Sequence, residues 1–326
     1  MSNVEVAPAE VACRPSQVGD DEPVDVLHPR EVPLGGPRAI RVQRTLPQRQ
    51  RSLIGAWCFV DHYGPVSGTR MDVPPHPHTG LQTASWLFSG LVEHRDSAGV
   101  HTLVRPGELN LMTAGAGICH SEVSVESEPV LHGAQLWVAL PGFARDTGRD
   151  FAHYAPTPVA VPGAQLRVFL GELAGSRSPI ETFTPLLGCQ IDLDPGCAVR
   201  LDIDTTFEHG VLCDQGAVRM CGTVLAVGDL GYQSPGNHTL HLHNVAEQPA
   251  RVLLLGGTPF TEQLVMWWNF VGRSHDDIVT YRRQWQDADD RFGAVEGYQG
   301  SVTRLPAPAL PTTRLRPRSQ PDRKEN

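Results

Sequence analysis

The sequence predicts an all-β protein made of two successive barrels or sandwiches, and three observations carry that expectation. Glycine and proline are frequent, at 32 and 28 of 326 residues, and they punctuate short apolar runs instead of long helical ones. Those runs fall into two series of similar length and spacing. Finally, two pairs of polar side chains stand two residues apart, a spacing that shares a face on a strand and splits across a helix.

Residues 1–30 carry no sustained apolar period and read as disordered. The first unit, over 31–150, offers strands at "AIRVQRTL", "TASWLF", "LVEHRD", "HTLVRPG", "ELNLMTAG", "GICHSEVSV" and "GAQLWVAL". A stretch from 140 to 163, "LPGFARDTGRDFAHYAPTPVAVPG", reads as a linker. The second unit, over 151–296, offers "QLRVFLGEL", "CQIDLDPG", "AVRLDID", "HGVLCDQGAV", "LAVGDL", "HTLHLHNV" and "ARVLLLGG". It closes with a helix in "SHDDIVTYRRQWQDADDRF", where Ile278, Tyr281 and Trp285 share one face and Ser274 is placed to cap the N-terminus. Trp267, Trp268 and Phe270 read as core between barrel and helix. The tail, 297–326, is rich in proline and arginine and is expected to be disordered, with Arg314, Arg316 and Arg318 solvated.

Composition excludes several functions. A formal net charge of -9 argues against a nucleic-acid surface, since phosphate neutralisation supplies most of that affinity. Lys324 is the only lysine, which removes a Walker A loop and a lysine Schiff base. The motifs GxGxxG, GxSxG and HExxH are absent. Seven cysteines, an odd number without CxxC spacing, fit reduced thiols and a cytoplasmic setting. The N-terminus lacks the basic start and apolar core of a signal peptide, and no apolar run approaches the roughly 20 residues of a membrane helix.

The chemistry concentrates in "PPHPHTG" and "GICHSEVSV". Prolines confine the first segment to a strand entry or a sheet edge, with His76 and His78 on one side. In the second, His120 and Glu122 share a face opposite Cys119 and Val123. Inside a closed barrel the two strands can aim three imidazoles and one carboxylate at a single point. That donor set, without a thiolate, suits a divalent Fe, Mn, Co, Ni, Cu or Zn ion.

These segments, with "HRDSAG", "HGAQLWVALP" and the late "WNFVGRSHDDI", resemble the pirin family of the cupin superfamily, in the family's own order and over about residues 30 to 290. The resemblance implies a bicupin, two tandem jelly-roll barrels, with one metal, usually iron, in the N-terminal barrel. It places the ligands on His76, His78, His120 and Glu122. Many pirins carry a glutamate where this chain has Gln82, a side chain that would face the cavity, either to donate a hydrogen bond to a substrate oxygen or to fill the barrel.

Four protein ligands on an octahedral ion leave two positions for a substrate oxygen and O2. Several bacterial pirins are similar to quercetin 2,3-dioxygenases, which bind a flavonol through its 3-hydroxyl and open the central ring, releasing CO. The expected function is therefore an iron-dependent dioxygenase acting on a phenolic, with Glu122 both ligating the ion and taking the hydroxyl proton. The alternative is a metal- or redox-sensing regulatory protein that binds a transcription factor or metabolic enzyme. His94 and His132 are expected to hydrogen-bond in the core or behind the ligands. His241 and His243 repeat the HxH spacing in the second barrel, but no HxE follows them.

Overall fold

In the computed structural model the described residues are 11–13, 24–34, 40–68, 70–125 and 130–316. They form two β-barrels of the same design. The first joins a seven-stranded sheet, in the order Asp150–Tyr154, Leu109–Thr113, Leu81–Ser89, Val130–Ala139, Trp57–Ser67, Ile40–Leu46 and Arg30–Leu34, to a four-stranded sheet. The latter runs Asp72–His78, Ile118–Ser124, Val92–Asp96 and His101–Val104. In the second barrel the seven-stranded sheet orders Val159–Val161, Ala164–Leu170, Leu186–Leu193, Ala250–Gly257, Glu208–Gln215, Leu230–Gln233 and Asp25–Leu27. Its four-stranded partner orders Ala198–Asp202, Thr239–Asn244, Val218–Met220 and Thr223–Leu225. Two tandem cupin barrels with one short C-terminal helix are thus the fold that the sequence predicts.

The barrels join through their seven-stranded sheets, and one apolar cluster runs across both, from Phe59, Trp86 and Trp137 to Phe169, Leu212 and Leu255. Tryptophans serve this seam because each buries a large apolar body and still offers one N–H to a partner. Trp57 Nε1 donates to the carbonyls of Leu187 and Gly256, 3.1 Å from each. Trp86 stacks on Phe169 at 4.4 Å and donates to Gln190 Oε1 at 2.8 Å.

Four details differ from the sequence reading. The strand Trp57–Ser67 is absent from it, because residues 57–63 are buried without a break and show no alternation. The presumed linker holds two strands; Asp150–Tyr154 pairs with Leu109–Thr113 and covers that edge of the first sheet. The expected disorder of residues 1–30 does not extend to 24–30, where Asp25–Leu27 pairs with Leu230–Gln233 of the second barrel, or to Val11–Cys13, which pairs with Leu264–Trp267. Nor does the expected disorder of the tail hold for 297–316: Trp285 Nε1 donates to Leu305 O at 2.8 Å, and Leu315 is buried. The rest of both terminal segments, Arg318 included, lies outside the described residues.

The helix His275–Gln286 forms as its sequence suggests. Ser274 Oγ accepts from Asp277 N and the Asp277 carboxylate accepts from Ser274 N, a reciprocal cap. Ile278, Tyr281 and Trp285 are its buried face, packed with Trp267, Trp268 and Phe270.

Candidate metal centre

Asp72–His78 is an edge strand of the four-stranded sheet, where Pro74, Pro75 and Pro77 cost the sheet little. Its neighbour Ile118–Ser124 pairs antiparallel, setting His120 opposite His76. On the other side, Val92–Asp96 sets Asp96 opposite His120 and His94 opposite Glu122. This register lays the polar side chains in rows across one face, at cross-strand contact distance.

All four expected ligands are buried, His76, His78 and His120 at 0% and Glu122 at 1% exposure. The three imidazoles converge: ring centroids are 4.3 Å apart for His76 and His120, and 5.0 Å apart for His78 with either of them. Their ligand atoms all lie within 4.8 Å of one another. Glu122 stands in a second, overlapping group with His94 and His120, whose ligand atoms are equally close. The regular ladder with Val92–Asp96 sets Glu122 directly opposite His94, while on the Asp72–His78 side a bulge between His120 and Glu122, two steps on one strand against three on the other, sets it opposite Val73.

The outer nitrogens fix the inner ones. His76 Nδ1 donates to Pro74 O at 2.8 Å, and His78 Nδ1 donates to Asn269 O at 3.2 Å. A carbonyl can only accept, so in each neutral ring Nδ1 holds the proton and Nε2 the lone pair. His120 is set by a chain: Asp96 Oδ2 accepts from His94 Nε2 at 3.0 Å, leaving His94 Nδ1 to accept from His120 Nδ1 at 3.5 Å. Asp96 Oδ1 is itself held by the backbone N–H groups of Ala98 and Val100. The Nε2 atoms of His76, His78 and His120 are buried and find no hydrogen-bond partner among the described residues. Three such lone pairs facing one another in a buried site could hold a shared cation.

Burial holds all three rings well below the ordinary imidazole range, and for His76 and His120 the neighbouring imidazoles push the same way. They are therefore neutral at pH 7, the form that ligates a metal. Glu122 Oε1 accepts from Ser85 Oγ at 3.3 Å, and the same hydroxyl lies 3.0 Å from Gln135 Oε1. Tyr63, buried beside it, has its phenol raised well above 10 by burial first and then by the charges of Glu122 and Asp61, so it stays protonated. Gln82 Nε2 donates to Thr113 Oγ1 at 2.9 Å, and its buried amide oxygen finds no partner among the described residues. One of its two N–H donors is thus engaged by Thr113.

The ligand segment is also closed from outside. Gly80, two residues past His78, has φ +68°, and a Cβ there would lie 2.3 Å from Val271 O, so only glycine lets Phe270–Gly272 pack this close. Cys119 faces away from His120 into the apolar cluster around Trp267 and Phe270, and burial pushes its thiol up to about 12. It is an inert filler here.

The sequence reading misses the link from Asp96 through His94 to His120. Its signal is "VEHRD", a third pair at spacing two, on a strand whose burial alternates in step with it. His132 lies far from these rings, in a separate group with His62 and Asp214. Also, His241 and His243 point outward, while Leu240 and Leu242 fill the second barrel.

Comparison with known proteins agrees with this architecture. Residues 39–138 match the Pirin family model and residues 188–293 match the model described as Pirin C-terminal cupin domain. A Pseudomonas aeruginosa protein provisionally named quercetin 2,3-dioxygenase is 42% identical over 286 residues, covering 86% of this chain and 89% of its own length. A Caulobacter vibrioides pirin-like protein is 33% identical over 75% of this chain and 88% of its own. The crystal structure of quercetin 2,3-dioxygenase from Acinetobacter baumannii superposes with a TM-score of 0.84 at 38% identity, covering 89% of this chain and 96% of that one. With paired cupin barrels, a buried trio of imidazoles in the first of them, and relatives matched over most of their length, the chain belongs to the pirin family.

Proposed function

We propose that this protein is a metal-dependent dioxygenase that opens the ring of a quercetin-like flavonol or a related phenolic. One divalent ion, iron(II), would be held by His76, His78, His120 and Glu122. The observation that carries the reading is the convergence of three buried Nε2 lone pairs on one point in the first barrel. The relatives named for quercetin 2,3-dioxygenase activity support the reaction class.

When bound, the ion would lower the pKa of a coordinated hydroxyl and supply the redox capacity to engage O2. Glu122 takes the hydroxyl proton, and Ser85 holds Oε1 of that carboxylate so that its orientation is set before substrate arrives. Gln82 offers its amide oxygen to a second substrate hydroxyl. Trp137, whose ring lies 5.0 Å from His78, and the barrel's apolar lining exclude bulk water from the reacting oxygen.

Oxygen uptake by the iron-loaded protein with quercetin tests this directly, with His76→Ala as control. Uptake that requires both the flavonol and intact His76 is expected. Absence of uptake in protein carrying one ion per chain would overturn the dioxygenase reading and turn attention to a regulatory partner.

A further inference from the structure

A second cluster lies between the barrels, away from the three-imidazole centre. His62 on Trp57–Ser67 and His132 on Val130–Ala139 meet Asp214 on Glu208–Gln215 of the second barrel. All three are buried, at 1%, 7% and 3% exposure. Asp214 Oδ1 is 2.7 Å from His62 Nε2 and 2.6 Å from His132 Nε2. The rings are 5.5 Å apart, and Phe88 meets His132 edge-on at 4.8 Å and lies tilted to His62 at 6.5 Å.

Two irregularities build this meeting point. The ladder slips around His132, between Leu131 and Gly133, and again around Asp214, between Cys213 and Gln215. Each bulge re-aims one side chain toward the other barrel, the use to which bulges beside functional sites are put. The apolar seam next to it is built of side chains such as Phe59, Trp86 and Phe169.

The hydrogen bonding leaves one imidazole nitrogen of the cluster without an aligned partner. His62 Nε2 stands at hydrogen-bond distance from Asp214 Oδ1, while its Nδ1 lies 3.4 Å from Gln43 Oε1. His132 Nε2, although 2.6 Å from that oxygen, makes no aligned hydrogen bond with it or with any other described group. The three ligand atoms lie within 4.8 Å of one another, close enough for small side-chain shifts to bring them onto one shared ion. Arg251 pairs with the other carboxylate oxygen, its NH1 3.5 Å from Oδ2 and over the Phe88 ring, which leaves Oδ1 to face both imidazoles.

We propose that His62, His132 and Asp214 form a second metal site, for a divalent ion of the zinc(II) class, that ties the two barrels together. Two imidazoles and one carboxylate are three of the four ligands of a tetrahedral site, with water as the fourth. Ligands drawn from both barrels make the ion a clasp, so its binding raises the stability of the joined form.

Cobalt(II) titration of the metal-free full-length chain, with bound metal counted after dialysis, separates this site from the first. The wild type is expected to bind two equivalents, one with the visible absorption of tetrahedral cobalt. Asp214→Asn and His132→Gln each keep one equivalent and lose that absorption, whereas His76→Ala keeps it. Zinc added to the His76→Ala protein should raise its melting temperature, and the rise should vanish in His76→Ala/His132→Gln. A wild type that binds one equivalent, lost in His76→Ala, would overturn the proposal. A second equivalent that persists in both Asp214→Asn and His132→Gln would overturn it too, as surface binding.

Discussion

The two four-stranded sheets share one topology and have opposite chemistry. In the first barrel Asp72–His78 pairs with Ile118–Ser124, and His76 faces His120 across the ladder. In the second, Ala198–Asp202 pairs with Thr239–Asn244, and the inward cross-strand pairs are Val199 with Leu242 and Leu201 with Leu240. Both second strands contain histidines, yet the phase differs by one residue. His120 is fully buried while His241 and His243 are exposed, because successive side chains on a strand point to opposite faces. An HxH motif is therefore silent about chemistry until its phase against the core is known.

The largest effect should come from breaking the polar side of that contrast. His120→Ala removes the imidazole that lies between His76, His78 and His94, and stoichiometric metal binding at the first centre should disappear. Metal analysis after dialysis reads it; a full retained equivalent with the spectrum of the wild-type centre would sink the ligand assignment. Folding should survive, since the barrel keeps its apolar clusters.

On the apolar side the order reverses. Leu242→Ala opens a void in a closed core and should cost about 2 to 5 kcal/mol. His241→Ala, one residue away on the outer face, should stay within about 0.5 kcal/mol. Urea midpoints for the two variants compare them directly, and equal losses would mean that the second barrel's phase is misassigned.

A subtler change tests what holds the ligands. His94 touches no expected substrate position but passes the Asp96 carboxylate's hold to His120. His94→Ala should weaken metal affinity by about 10- to 100-fold without changing the stoichiometry. Competition with a chelator measures it, and wild-type affinity in the variant would show that His120 needs no such support.

Much of this architecture is legible in the sequence. The alternation in "GICHSEVSV" and the prolines of "PPHPHTG" place the ligand strands, their edge position and the facing of Cys119, because period and proline chemistry are local properties. The capped helix is equally local. The rest depends on distant partners. The hold of Asn269 on His78 spans 191 residues, and the register that sets Glu122 opposite His94 arises from pairing between two strands. Trp57–Ser67 leaves no trace in the pattern because burial on both faces erases the alternation that marks a strand. Likewise the packing of 297–316 rests on scattered anchors, such as Leu305 N on Pro75 O and Tyr298 on Asp72, in a segment whose composition reads as unstructured.

The pH dependence of the metal-free protein sharpens the same comparison, because only the first barrel buries imidazoles in a mutual cluster. His76, His78 and His120 have folded values well below 6.5, chiefly through burial, so each is neutral in the fold and protonates first in the unfolded chain. Below about pH 6.5 the unfolded state then binds more protons than the folded one. Stability from this source is fully present above that pH and is lost as the pH falls toward the folded values. Each ring should contribute a slope approaching about 1.4 kcal/mol per pH unit in that window, roughly 4 for the three. His76→Ala should flatten the slope between about pH 6.5 and 5 by about one of these increments in urea unfolding, while His241→Ala, exposed on the second barrel, should leave it unchanged. A slope indifferent to His76 would mean that the three rings are not held neutral together, and the case for a shared cation would lose its electrostatic basis.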